Sequence, residues 1–326
     1  MTTSANFWAL RPKSTYDAHV QPLWPGGPVL PVGLLVFILG ATIGSFLNVV
    51  IARLPEGLSV VRPGSRCPHC KAPVRAWQNI PIVSWLLLRG RCAQCKTAIS
   101  LRYPMVELLT ASLFIAVYSR FGWSWGLLLG MVLSGSLVAI TFVDIDIWEI
   151  PDEISLPGIV IGALLRPLAF DVPWYSGLVG AALGASFLWL VRWGYFVVRK
   201  TEGMGLGDVK LIAMIGAFLG VGALIPTILV ASVAGTLIGA VVHFAARRAP
   251  TEPPLAEESN SHPAPVEPPT NEQPSGEQPT IEEDDEENWT PPAGAVPFGP
   301  FLALGALSQL LFAPAFTRLY AIWWGL

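Results

Sequence analysis

The sequence predicts an all-α polytopic membrane protein with about eight transmembrane helices and a small four-cysteine insertion. Three observations carry this. Of 326 residues, 52% are hydrophobic and 13% charged, where a soluble chain carries roughly 25% charged residues. Mean hydropathy is +0.54. Apolar runs near the roughly 20 residues that cross a bilayer recur along the chain. They are too many and too uniformly apolar for the buried helices of a soluble protein.

The elements follow in order. Residues 1–28 are a polar N-terminal tail. The first apolar run, 29–51, has no small-residue cleavage site after it and reads as a first span, not a cleavable signal. Residues 52–103 form a polar region that holds all four cysteines. Further spans are expected near 104–120, 124–143, 155–170, 176–198, 208–220, 222–244 and 297–313. The sixth is short, with a polar start. The end, "YAIWWGL", suits a membrane interface, where Trp is favoured. Residues 104–248 thus hold spans two to seven, and 296–326 the eighth span and the C-terminal tail. No internal repeat is evident.

Charge sets the expected orientation. Region 52–103 carries nine Lys or Arg, which places it in the cytosol. Counting spans forward puts loops 144–154, 199–210 and 245–296 on the same side and both termini on the other. The net charge of −3 hides a split. Twelve of the 23 acids lie in 250–292, which has no Lys or Arg, so the rest of the chain sets 20 cations against 11 acids. That excess suits anionic lipid. The acidic, Pro-rich segment 249–295 cannot bury enough apolar surface to offset ordering, and is expected to be a disordered cytosolic insert. No nucleic-acid partner is expected.

The cysteines form two C-x-x-C pairs, "RCPHC" and "GRCAQC". Cys67, Cys70, Cys92 and Cys95 present four thiolates to one tetrahedral ion, with zinc the usual occupant. The interval between the pairs is long, so a loop or helix is expected there. Two disulfides are the alternative, disfavoured in a reducing cytosol. Four sulfurs close the coordination shell, so such an ion is structural, and His69 is a surface residue, not a ligand.

Two acids stand at the cytosolic membrane face, Asp144 in "TFVDIDIWEIPDEI" and Asp208 in "EGMGLGDVKL". No helical spacing relates them, but the topology brings both to one depth. Carboxylates sharing a poorly solvated site do not both ionise, so the pair can act as acid and base on a water molecule. Gly203, Gly205 and Gly207 let the chain bend beside Asp208. The plainer alternatives make Asp208 a helix cap and Asp144 a loop residue. A nucleotide-binding reading of "GMGLGD" is set aside, because a membrane span, not a strand, precedes it.

Several stretches together resemble the bacterial type IV prepilin peptidases, which are leader peptidase/N-methyltransferases of the GxGD aspartyl protease kind. They are "GSFLNVVIARLP" (44–55), the cysteine region 65–111, "DIDIWEIPDEISLP" (144–157), "GMGLGDVKL" (203–211) and "VPFGPFLALGA" (296–306). The resemblance implies cleavage of a basic leader, after glycine, from type IV prepilins or type II secretion pseudopilins at the inner membrane. It implies Asp144 and Asp208 as the catalytic pair. Asp144 is favoured over Asp146 because it lies seven residues before Pro151. The resemblance also implies methylation of the new N-terminus from S-adenosylmethionine, with Glu107 the candidate residue there. Glu107 paired with an arginine at a helix interface is the plainer reading. Asp146, Glu149, Asp152 and Glu153 read either as attracting the basic leader or as solvated acids. The long N-terminal tail and the acidic insert depart from the family pattern without touching a motif. A peptidase without methyl transfer, a transporter with a zinc module and a noncatalytic scaffold are the competing readings.

Overall fold

The computed structural model describes residues 29–201, 204–248 and 296–323. The N-terminal tail, the acidic insert, Gly203 and the last residues of the "YAIWWGL" tail lie outside the described residues. The chain divides into two units, Met1–Gly235 with Pro297–Leu326, and Thr236–Val296. The described part of the second is mainly the end of one helix.

Among the described residues the chain is helical, with two isolated β-bridges and no longer strand. The helices are α1 (Val29–Arg53), α2 (Val83–Leu87), α3 (Arg102–Phe121), α4 (Trp125–Ile147), α5 (Asp152–Phe170), α6 (Ser176–Arg199), α7 (Leu206–Leu219), α8 (Val221–Arg248) and α9 (Gly299–Trp323). All but α2 match the expected spans. Six are long and apolar enough to cross a membrane, namely α1, α3, α4, α5, α6 and α8. The protein is a multi-pass membrane protein.

The two exceptions to the eight full spans have a physical reason. At a rise of about 1.5 Å per residue, the 14-residue α7 reaches only about 21 Å, short of a ~30 Å hydrocarbon core. It is shielded by its neighbours instead. Val209 and every residue from Leu211 to Leu219 are buried, and α5, α6 and α9 pack around it. Its C-terminal carbonyls are not left bare. The Arg166 guanidinium donates to Phe218 O at 3.2 Å, a cation at a helix C-terminus. The apolar part of α9, Gly299–Ala313, is also short.

Small residues set the close packing, as expected where lipid removes the hydrophobic drive between helices. Gly180 of α6 lies directly against the Gly216 carbonyl of α7. Gly40 and Gly44 of α1 lie against the backbone of Ala111 and Glu107 on α3. The most apolar window of α4 is 67% buried, against 17–39% for the other five long spans. α4 and α7 therefore form the centre, and α9 packs on both.

Candidate active site and metal centre

Asp144 sits in the last full turn of α4, not in a loop. It is 4% exposed, and α4 continues to Ile147 before Trp148 ends it in a left-handed conformation. Asp208 lies in the first turn of α7, where the positive end of the helix dipole favours a carboxylate. It is not the cap. Gly205 occupies that position, with no side-chain cap hydrogen bond. The fold brings the two acids within electrostatic range of each other.

Two glycines give them room. The N–H of Gly299, at the start of α9, donates to Asp144 Oδ2 at 3.0 Å. A Cβ at Gly299 would collide with that oxygen and lie 3.4 Å from Ile150 Cδ1. A Cβ at Gly207 would lie 2.9 Å from Ile150 Cβ. The buried Ile150 thus fills the space between the α7 start and the α9 start. Sequence reasoning misses Gly299 and Ile150. The available signal is a glycine followed by proline at the mouth of a span, in "VPFGP". Gly299→Ala is expected to displace Asp144 by a fraction of an ångström or more, and any cleavage that depends on that carboxylate to fall on the order of 10²-fold at unchanged protein level. Cleavage at the unaltered rate would show that Asp144 tolerates the displacement.

Ion pairs hold both acids' helices. Arg102 contacts both carboxylate oxygens of Asp146, at 2.9 and 2.7 Å, and also donates to Phe142 O at 3.1 Å. Lys210 bonds both oxygens of Asp152 at 2.6 and 2.7 Å. Each pair includes a residue two positions beyond one of the acids. Asp146 and Asp152 are therefore already matched to cations. Glu149 and Glu153 remain exposed.

The expected arginine partner of Glu107 is not what the structure contains. Glu107 is buried in α3, and its Oε2 accepts the Ile82 N–H at 2.6 Å. Ile82 has φ +62°, and Val83 N–H bonds back to Pro81 O at 2.5 Å, a strained γ-turn. A buried carboxylate thus pins the turn that starts α2.

The four cysteines converge. All are free thiols, and their sulfurs lie within 4.8 Å of one another. Cys67 and Cys95 sulfurs are 3.8 Å apart, which is the edge of a tetrahedron of about 2.3 Å Zn–S bonds. Among the described residues no other cluster of three or more His, Cys, Asp or Glu can hold a metal ion. The donor set fits a structural ion, and His69 is exposed.

The two knuckles also repeat each other. Cys67 N–H bonds Ala72 O and Cys92 N–H bonds Thr97 O, both at 2.9 Å. Lys71 and Lys96 both take positive φ, and Arg66–Pro73 and Arg91–Ala98 form matching bridges. The signal for this is the short local repeat R-C-x-x-C-K, too brief to register as an internal repeat of the chain. As expected, ordered structure lies between the knuckles, a 3-10 turn at Ala76–Asn79 followed by α2.

The Thr97 hydroxyl and amide draw the Cys95 thiol down to about 6. The Cys70 and His69 amides also lower Cys67. Cys70 moves up to about 11: the Ala72 N–H opposes the rise, but burial and the neighbouring sulfurs prevail. Four thiolates this close need a cation between them before all can ionise.

A multi-pass helical membrane protein with two carboxylates in electrostatic range of each other, at the end of α4 and the start of α7, and with a four-cysteine centre, has the parts of a membrane aspartyl protease. Residues 38–121 match the bacterial peptidase A24 N-terminal domain, and residues 131–240 match the type IV leader peptidase family. The chain is similar to the prepilin leader peptidase/N-methyltransferase of Myxococcus xanthus, 40% identical over 317 residues, covering 90% of this chain and 93% of the relative. The proteins of the same description from Neisseria gonorrhoeae (42% over 238 residues, 66% and 83%) and Aeromonas hydrophila (35% over 310 residues, 88% and 92%) are also similar. No solved structure matches this chain. The chain belongs to the type IV leader peptidase family.

Proposed function

We propose that this protein removes the basic leader from type IV prepilins or type II secretion pseudopilins at the cytosolic face of the inner membrane, and methylates the new N-terminus. The observation that carries the peptidase is that Asp144, at the end of α4, and Asp208, at the start of α7, lie within electrostatic range of each other in a chain of this family. The prepilin's apolar helix lies against the bundle, with its leader at the cytosolic face. The deprotonated carboxylate takes a proton from water, which attacks the carbonyl of the leader glycine. The protonated partner donates to the carbonyl oxygen, giving a tetrahedral diol. The C–N bond then breaks as the carboxyl that took the water proton passes it to the leaving amine nitrogen, and the diol's second proton returns to the partner. Gly299 holds one oxygen of Asp144, so the other is left for water and Asp208.

In this reading 52–103 is the cytosolic zinc-binding region, 104–248 carries the peptidase helices, and 249–295 is a cytosolic insert. Zinc, when bound by the four cysteines, supplies a structural crosslink and no open position for catalysis. One described cavity, of about 550 Å³, is lined by Leu35, Met131 and other apolar side chains of α1 and α4, with Trp123 and Ser124 just before α4. Neither it nor the second, lined by Ala185, Ser186, Trp189, Leu190 and Val209, suits a charged sulfonium, so no residue is assigned to S-adenosylmethionine. Glu107 enters as a positioning residue of the region that would serve methyl transfer, with one oxygen committed to Ile82.

Purified enzyme incubated with a prepilin and S-adenosylmethionine tests both activities by mass spectrometry of the product. Loss of the leader mass with a gain of one methyl is expected. An uncut prepilin overturns the peptidase, and a cut but unmethylated product overturns only the methyl transfer. The shortness of α7 makes the membrane topology worth a separate test. A reporter fused after Leu326 is expected on the non-cytosolic side, and a cytosolic signal would sink the eight-pass arrangement.

A further inference from the structure

The segment between the two knuckles presents an apolar face that the proposed chemistry does not use. Val83, Leu86 and Leu87 follow the i, i+3, i+4 spacing of one helix face. All three are exposed, Leu86 at 62% and Leu87 at 74%. Trp77 and Ile80, just before α2, are exposed as well. A segment standing in water would not leave its large side chains outward together.

Its depth is the second observation. The Ile82–Glu107 hydrogen bond ties the start of α2 to a residue five positions into α3, about 7.5 Å along that span. On its inner side, Trp85 Nε1 donates to Ile99 O at 3.2 Å, and its ring covers Gly90. α2 is therefore pinned beside the first turns of a membrane span, with its apolar face turned away from both anchors. Exposed Arg75 and Arg89 bracket the segment. Apolar side chains at the membrane boundary, flanked by arginines that reach to headgroups, match the chemistry of an anionic lipid surface.

We infer that residues 77–87 are an interfacial anchor, seating Val83, Leu86 and Leu87 in the lipid headgroup boundary and engaging anionic headgroups through Arg75 and Arg89. The cysteine region then lies down on the membrane and does not stand off in the cytosol. The anchor is independent of whether the chain cuts prepilins.

The test uses full-length protein carrying Leu87→p-benzoylphenylalanine, reconstituted in nanodiscs of phosphatidylethanolamine and phosphatidylglycerol. The same probe at Gln94, on the second knuckle, is the comparison. After irradiation, mass spectrometry is expected to find lipid adducts at position 87 several-fold above position 94. Arg75→Gln with Arg89→Gln is expected to lower the phosphatidylglycerol share of those adducts. Equal adducts at the two positions would overturn the anchor. Replacement of lipid by an added prepilin as the crosslinked partner would also overturn it, making the face a substrate dock. An unchanged phosphatidylglycerol share in the double variant would overturn the role of the arginines.

Discussion

Asp144→Asn and Asp208→Asn, each alone, are expected to cut leader cleavage by on the order of 10²–10⁴-fold, the usual worth of a positioned acid or base. Both substitutions are isosteric. The amide introduced at position 144 keeps an oxygen that can accept the Gly299 N–H, and the one at position 208 stays in the first turn of α7. Membrane insertion and metal content are therefore expected to hold while cleavage is lost. One carboxylate cannot replace the other, because the chemistry needs a group that takes a proton and one that gives a proton at opposite sides of the scissile bond. Normal cleavage by either variant would exclude the pair. The same variants separate the competing classes, since a scaffold would keep its binding function and a transporter its flux coupling to other groups.

Removing the metal is the second large perturbation. A structural zinc contributes roughly 10–16 kcal/mol to the order of small zinc-dependent peptides at neutral pH. The knuckles here have little else to hold them, since their core is four sulfurs and a few backbone bonds. Cys92→Ser with Cys95→Ser, or a strong chelator, is expected to release one equivalent of zinc per chain and to expose 65–100 to proteolysis. Methylation is expected to fall further than cleavage. Asp144 is held by the α4 core and by Gly299, while Arg102, just past the second knuckle, links the region to α4. Equal loss of both activities at normal protein level would sink that division.

Acid should act in the same direction. The Cys95 thiol, drawn down to about 6, stays ionised above that pH and is protonated as pH falls through it. Protons compete with zinc for the thiolates, so zinc retention is expected to weaken as pH falls. Thr97→Val should move the loss to higher pH, read as zinc release against pH. An unshifted release curve would show that Thr97 does not set it.

The sequence by itself determined the membrane class, the helix order and the four-cysteine cluster, because these depend on local quantities. Apolar run length fixes a span, and C-x-x-C spacing fixes a knuckle whatever surrounds it. It also pointed to Asp144 and Asp208 through motif resemblance. Only the tertiary structure decided what each acid meets. Gly299 reaches Asp144 across 155 positions of chain, and Glu107 meets a backbone N–H instead of an arginine. Asp146 and Asp152 are spent on Arg102 and Lys210. The length of α7 was readable as short, but its burial among α5, α6 and α9 was not. Partners of this kind are set by which helix faces pack together. That choice is made by small residues such as Gly180 and Gly216 allowing close approach, and no single span encodes it alone.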